Sequence, residues 1–297
     1  MKNKTKIAII GIGRWGKNLA REFGKNADIK AFCHTEKNEN IDWLNKNFPK
    51  IPSKNYDSIL KDEDIEAVII ATPINTHHKL AKQALLAGKH VFVEKPISET
   101  VKQAEELTRL ASKKQLILFV GHIFSYHPIL AKVKSITKRE KIKKAIFSWH
   151  KLGTFKEDLV LNLGSHDIAI ALELFKKPTN IKITKKIKSV TRCDIINLDL
   201  KFKGNTTCSI YLNRISNQKN KTATFIADKN VYLWENNSLF KLNKTKNEFS
   251  LIFESKTTPL EIEVKEFINC IQNKKTPLTN GEFGTEVVKV LEKIKHQ

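Results

Sequence analysis

The stretch that most limits how this chain can fold is residues 7–24, IAIIGIGRWGKNLAREFG. An unbroken apolar run, Ile7 to Ile10, reads as a buried parallel strand. Three glycines follow with the spacing G-x-G-x-x-G, and a helix begins. Gly11 permits the tight strand-to-helix turn. Gly13 lets a pyrophosphate approach the backbone with no side chain in the way, and Gly16 lets the helix pack against the strand. The pyrophosphate would rest on the N–H groups at the helix N-terminus, where the dipole favours negative charge. On its own the spacing fits any glycine-rich turn. Here it follows a strand and opens a helix, which is the context dinucleotide binding requires. Arg14 and Trp15 lie inside the motif. Trp15 is placed either to flank the dinucleotide or to pack.

Composition narrows the function classes. A chain of 297 residues is long enough for two domains with real cores. No apolar stretch approaches the length of a membrane span, so no membrane partner is expected. The basic start, MKNKTK, leads into a short strand and a glycine loop rather than a signal-peptide apolar region, and the expected location is cytoplasmic. Cys33, Cys193, Cys208 and Cys270 are scattered and read as reduced core residues. The net charge of +22 invites a nucleic-acid reading. The lysines are spread along the whole chain, however, with no basic arm, helix-turn-helix or stacking motif, so no nucleic-acid partner is expected. The positive field would help draw in anionic cofactors or substrates.

Up to Val120 strand and helix alternate. Strands are expected at Ile29–Cys33, Glu66–Ala71, His90–Glu94 and Leu116–Val120, with helices at Asn40–Phe48, Tyr56–Lys61, His77–Ala87 and Thr100–Lys113. This is the pattern of an α/β Rossmann domain with a doubly wound parallel sheet, assigned to residues 1–121. After Gly121 the pattern changes. Helices are expected at Pro128–Thr137 and Leu159–Phe175, and strands at Ala145–His150, Ile181–Val190, Asp194–Phe202, Thr206–Asn213, Thr222–Ala227, Asn230–Trp234 and Phe249–Phe253. Asn236–Asn247 reads as a polar hairpin-like region. Helices Glu261–Gln272 and Phe283–Lys295 follow, placed to pack back on the first domain. Consecutive strands with short turns give a mostly antiparallel sheet, so residues 122–297 read as an α+β domain for substrate binding and oligomerisation.

Ligands in open α/β sheets bind at the carboxyl ends of the strands. Those ends here carry Thr72-Pro73-Ile74-Asn75-Thr76-His77, Glu94-Lys95-Pro96 and Gly121-His122. The G-x-G-R-x-G opening, the T-P-x-x-x-H turn, the run Ala87 to Pro96 (AGKHVFVEKP) and the stretch Gly121 to Pro128 (GHIFSYHP) together resemble the glucose–fructose oxidoreductase / inositol dehydrogenase (Gfo/Idh/MocA) family. Asn162-Leu163-Gly164-Ser165-His166-Asp167 and the closing Thr279 to Gly284 extend the resemblance over nearly the whole chain.

The resemblance implies a two-domain dehydrogenase that uses NAD(P) to oxidise or reduce a carbinol carbon of a sugar, cyclitol or nucleotide sugar. It implies an open-faced second sheet that joins subunits into a homodimer or tetramer. Lys95 inherits a place beside the nicotinamide and the reacting hydroxyl, where an ammonium can donate to the reacting oxygen. Glu94 would position the cofactor, His77 would stand near it, and the Lys95–Pro96 bond would be cis. Gly11, Gly13, Arg14, Trp15, Gly16, Thr72, Pro73, Asn75, His77, Glu94 and Lys95 form the expected cofactor set. His122 and Tyr126 join Lys95, Asn162 and His166 on the substrate side.

Asn162 and His166 are four apart on the expected helix and share one face. The family usually carries Asp-x-x-x-His here, with the histidine exchanging the proton. His166 matches, while Asn162 replaces the aspartate, and an amide cannot stabilise an imidazolium by charge. Asp158 lies one turn earlier and would partly compensate, whereas Asp167 points elsewhere on the helix. The adjacent His77 and His78 point in different directions without a carboxylate or cysteine at ligand spacing, so no metal is expected. His34 and Thr35 stand where an NAD-preferring enzyme tends to carry a carboxylate, and Glu36 comes two residues late. His34, Thr35 and Lys37 suit a 2′-phosphate, which favours NADP over NAD. The basic and aromatic stretch His150 to Lys156, with Phe124, Tyr126 and His127, suits a sugar bearing an anionic group. A non-catalytic dinucleotide-binding sensor on the same fold is the alternative, and Asn162 is the feature that favours it.

Overall fold

The computed structural model describes residues 4–34, 38–153 and 158–297. Backbone contacts divide them into two compact units. The first runs up to His122 and adds Leu260–Val288; the second is Ile123–Pro259 with Lys289–Gln297.

The first unit contains β1 (Lys6–Ile10), α1 (Arg14–Asn26), β2 (Asp28–Cys33), α2 (Asn38–Asn47), α3 (Tyr56–Lys61), β3 (Ala67–Ile70), α4 (Ile74–Leu86), β4 (His90–Glu94), α5 (Val101–Lys113) and β5 (Leu118–Gly121). The strands form one sheet in the order β2-β1-β3-β4-β5, with every pairing parallel. The strand order reverses between β1 and β3, where such sheets bind their ligands. Both faces are covered, so the central strands are apolar throughout: Ile7, Ala8 and Ile9, and Ala67 to Ile70, are fully buried. Alternation decides which face each residue serves. Val91, Val93, Leu118 and Val120 belong to one apolar cluster with Ile97, Leu107 and Val288. Phe92 and Phe119 serve the other face and stack at 5.0 Å between ring centroids. Phe267 meets them edge-on at 5.6 and 5.5 Å, and Phe23 of α1 meets Phe92 at 5.6 Å.

Helix starts follow local chemistry. Asn55 caps α3 by accepting from the Ser58 N–H at 2.8 Å, and Thr100 caps α5 by accepting from the Gln103 N–H at 3.3 Å. The expected start of α4 at His77 moves back to Ile74, because Pro73 supplies the fixed φ of a helix entry.

The second unit contains α6 (Pro128–Thr137), β6 (Ile142–His150), α7 (Ser165–Phe175), β7 (Asn180–Ile187), β8 (Ile195–Lys201), β9 (Thr207–Asn213), β10 (Asn220–Ala227), β11 (Val231–Glu235), β12 (Ser238–Asn243) and β13 (Glu248–Glu254). The remaining helices are α8 (Pro259–Asn273), almost wholly in the first unit, and α9 (Gly281–Lys295), which begins there. The second sheet has the order β13-β12-β11-β10-β6-β9-β8-β7. It is antiparallel except for the parallel pair β6 and β9. Along β8 and β9 alternate residues are buried, including Leu198, Leu200, Ile210 and Leu212, as in a sheet with one covered face.

The region 236–247, expected to be hairpin-like, holds β12, which pairs with β11 across a two-residue turn at Asn236 and Asn237 and then with β13. Two expectations need correction. The strand expected to reach Val190 stops at Ile187, because Asp194 gathers the chain beyond it. Its Oδ2 accepts the N–H groups of Ser189, Val190 and Thr191 at 2.7, 2.7 and 2.9 Å. The helix expected from Leu159 opens with a π-helical turn over Val160–Gly164 before α7 begins.

The aromatic cluster ties α1 and α8 to the first sheet. Phe267→Ala should lower unfolding free energy by about 3–5 kcal/mol, the usual cost of deleting a buried phenyl ring, and a denaturant titration measures it.

Candidate functional site

The turn from β1 to α1 is built by exclusion. Gly11 has φ +94°, and a Cβ there would stand 2.7 Å from the Ala71 carbonyl oxygen. A Cβ on Gly16 would run into the carbonyl oxygen of Gly11. Both positions therefore need glycine. Gly13 differs: its φ is −71°, it is exposed, and a Cβ on it would meet nothing within 4 Å. No side chain caps α1, so its first N–H groups are left for a ligand. The pyrophosphate of a dinucleotide fits this open approach, and the residues present suit it. Arg14 is exposed at the first position of α1.

Trp15, one position on, is tied down. Its indole N–H donates to Oε1 of Glu94 at the end of β4. The other oxygen, Oε2, accepts the Lys95 backbone N–H at 3.2 Å. Glu94 is buried, and burial pushes its carboxyl up to about 7, against the lowering effects of the Lys95 charge and the Trp15 and Lys95 hydrogen bonds. Gly121 makes room for it, since a Cβ there would lie 2.8 Å from Glu94 Oε1. Lys95 is half-buried, and the Lys95–Pro96 bond is cis, the form the resemblance implies.

His77 is buried and bridges two loops. Nδ1 lies 2.8 Å from the Pro96 carbonyl oxygen and Nε2 lies 2.8 Å from that of Thr72. It holds the turns after β3 and β4 in fixed relation, while Pro73 and Asn75 are exposed beside it. The Thr72 hydroxyl meets that of Thr76 at 2.6 Å. His78 faces elsewhere, on Glu106 of α5 at 2.8 Å. His34 follows β2, with Nε2 2.9 Å from the Ser53 hydroxyl. Thr35, Glu36 and Lys37 lie outside the described residues. His122, at the end of β5, is 1 % exposed and neither ring nitrogen has a hydrogen-bond partner among the described residues. Burial, then the Lys95 charge, pulls it down to about 3, so it stays neutral.

The second unit carries its own constellation. His166 is half-buried at the start of α7. Phe124 meets its ring edge-on at 5.1 Å and Trp149 lies at 5.6 Å. Asn162 sits in the π-helical turn one turn earlier. Asp158, expected to compensate in part for Asn162, has its Oδ1 at the helix start instead, accepting the N–H groups of Val160 and Leu161, each at 2.9 Å. Asp167 is fully buried and forms an ion pair with Lys221 of β10, Nζ standing 3.1 Å from Oδ1. The same ammonium lies 3.4 Å from the Phe124 ring centroid and 3.9 Å from that of Trp149. Burial pushes the Asp167 carboxyl up and the Lys221 ammonium down, and each opposes the shift of the other. The two rings that flank His166 thus also hold Lys221. Tyr126 is buried, and His127 caps α6 by accepting the Ile129 N–H at 3.2 Å. The stretch 154–156 lies outside the described residues. Among the described residues no group of three or more His, Cys, Asp or Glu could hold a metal, and no helix is long and apolar enough to cross a membrane.

Sequence reasoning missed Lys221, Asp167 as its partner, and Glu263. Nothing local marks Lys221, whose partner is distant in sequence. Glu263 carries a signal: it stands four before Phe267 on the apolar stripe of α8.

Lys221→Met should cost about 3–5 kcal/mol in unfolding free energy, because it strands the buried Asp167 charge; Lys221→Met with Asp167→Leu should cost less than the single change. A denaturant series on both variants reads the difference. For Glu94 the raised value sets the sign. Its stabilising contribution is full below the ordinary 4.5 and is lost as pH rises through about 7. The unfolding free energy of the wild type minus that of Glu94→Gln should therefore fall as pH rises across that window.

Residues 5–122 match the model of the oxidoreductase family with an NAD-binding Rossmann fold, GFO_IDH_MocA. An uncharacterised oxidoreductase from Schizosaccharomyces pombe is 32% identical over 142 residues, covering 43% of this chain and 39% of the relative. The chain's matches to the curated relatives first found thus span about two fifths of those proteins' lengths. UDP-N-acetylglucosamine 3-dehydrogenase from Acidithiobacillus ferrooxidans is 22% identical over 95% of this chain and 94% of its own. The solved structure of that dehydrogenase superposes with a TM-score of 0.90 at 19% identity, covering 100% of this chain and 98% of the other. Biliverdin reductase from Synechocystis, solved with biliverdin and NADP+, superposes with a TM-score of 0.84 at 17% identity over 98% of each chain. At these identities the structural likeness shows the fold. Over residues 5–122, with the glycine turn and the parallel sheet, the chain is similar to the NAD-binding Rossmann domain of the Gfo/Idh/MocA family of oxidoreductases.

Proposed function

We propose that this protein is an NAD(P)-dependent oxidoreductase that moves a hydride between nicotinamide and a carbinol carbon of a sugar-type substrate, a nucleotide sugar being the favoured class. The observation that carries this reading is the β1–α1 turn, where Gly11 and Gly16 are closed to side chains and Gly13 is open. The name and full-length match of the Acidithiobacillus dehydrogenase support the substrate class.

The dinucleotide, when bound, supplies the hydride acceptor or donor. The N–H groups of the Gly11–Gly16 turn would hold its pyrophosphate, with Arg14 alongside. Thr72, Pro73, Asn75 and His77 would shape its approach after β3, and Glu94 would fix the nicotinamide end with Trp15. His34 and Thr35 would take a 2′-phosphate, which favours NADP. Lys95 would donate from Nζ to the reacting oxygen, and His166 would take up or return the hydroxyl proton, oriented by Asn162. His122 and Tyr126 complete the proposed substrate set. The protein is proposed to work in the cytoplasm as a homodimer or tetramer joined through its second sheet, with no metal.

A second reading, a dinucleotide-binding sensor without catalysis, is favoured by Asn162. Fluorescence titration with NADPH and NADH, then turnover on a panel of nucleotide sugars and cyclitols, separates the two. The enzyme reading expects NADPH to bind more tightly than NADH. It also expects Lys95→Ala to lower kcat by about 10²–10⁴-fold while dinucleotide binding survives. Binding without turnover, with activity gained in Asn162→Asp, would support the sensor. Binding of neither dinucleotide would overturn both.

A further inference from the structure

Glu263 occupies a place where a carboxyl group needs a reason. It is 0% exposed, and neither side-chain oxygen has a hydrogen-bond partner among the described residues. Burying a carboxylate in that state is prohibitive, and burying even the neutral acid unpartnered is costly.

Its neighbours suggest the reason. Glu263 lies one helical turn before Phe267, on the same face of α8. Phe267 packs edge-on against Phe92 and Phe119. Two residues beyond Phe92 on the same face of β4 comes Glu94, and two beyond Phe119 on β5 comes Gly121. The space a Gly121 side chain would take is filled by the Glu94 carboxyl and the Phe92 ring, at 2.8 and 3.1 Å. Glu94 thus closes the strand side of this aromatic layer, and Glu263 lies one helical turn from the Phe267 that completes it.

The two acids are not equivalent. Glu94 accepts the Trp15 indole N–H and the Lys95 amide and feels the Lys95 charge. Glu263 has no such support, and burial and the charge of Glu94 both push its carboxyl well above the ordinary range. Glu94 is the member suited to carry the negative charge, and Glu263 the proton.

We propose that Glu263 is a positioning residue for the cofactor end of the site, a carboxylic acid that donates its O–H toward the Glu94 carboxylate and, with Trp15, fixes that carboxylate in place. The link to the cofactor rests on the role proposed for Glu94 above. Its effect on Trp15 does not.

The test uses ¹⁵N-labelled full-length protein without ligand. The Trp15 indole N–H resonance is assigned by its loss in Trp15→Phe. Glu263→Gln keeps a donor of similar size, whereas Glu263→Leu and Glu263→Met keep the volume and remove the donor. The Trp15 resonance should stay in place in Glu263→Gln and move in both apolar variants, which should unfold no more easily than the wild type. NADPH or NADH affinity, whichever the wild type shows, should be kept in Glu263→Gln and fall about tenfold in Glu263→Leu, the worth of one hydrogen bond to a charged group. An unmoved Trp15 resonance in both apolar variants, or one that moves as far in Glu263→Gln, would overturn the proposal. If the wild type binds neither dinucleotide, the functional reading fails while the resonance still decides the place of Glu263.

Discussion

Everything in the first unit follows from how closely α1 can approach the end of β1. The approach is so tight that Gly16 has no room for a methyl group beside the Gly11 carbonyl, and Gly11 has none beside Ala71. That contact aims the N-terminus of α1 at the carboxyl edge of the sheet. It leaves Gly13 uncovered, and it brings Trp15 to Glu94 at the end of β4. A chain without glycine at positions 11 and 16 would have to move the helix outward, and both the anion cradle and the Trp15–Glu94 contact would be lost together.

Behind the turn, the structure uses buried polar groups sparingly and in fixed places. His77 joins the loops after β3 and β4 through two carbonyls. Glu94 closes the strand side of the aromatic layer, and Glu263 lies one helical turn from Phe267. In the second unit Asp167 and Lys221 neutralise each other between the Phe124 and Trp149 rings that also flank His166. Asp158, expected to make up in part for Asn162, is engaged at the helix start through Oδ1. The organised charge near His166 is instead an ion pair that arrives from β10.

Much of the fold was legible in the sequence because its signals are local. Unbroken apolar runs such as Ala67–Ile70 mark strands covered on both faces. Gly88, with φ +78° after α4, and Pro128, at the start of α6, mark helix ends. What could not be read depends on partners distant in the chain. β12 (SLFKLN) is short and set between polar turns, and it exists as a strand because β11 and β13 supply its hydrogen bonds. The π-helical turn before α7 follows from no residue pattern we can name. Of the candidate site, the glycine turn and the residues after the strand ends carry motif spacing. Lys221 and Glu263 do not: one is defined by a cross-strand pairing with Trp149, the other by a helix that returns to the sheet late in the chain.

The central claim is that the open approach at Gly13 receives a dinucleotide. The most direct measurement is NADPH and NADH binding to Gly13→Val, alongside its denaturant unfolding. The backbone there is one any residue adopts, and a Cβ added there meets nothing within 4 Å. The account expects unchanged stability and an affinity reduced by about tenfold or more, because the valine would occupy the pyrophosphate's path. A stable Gly13→Val variant that binds as tightly as the wild type would contradict it.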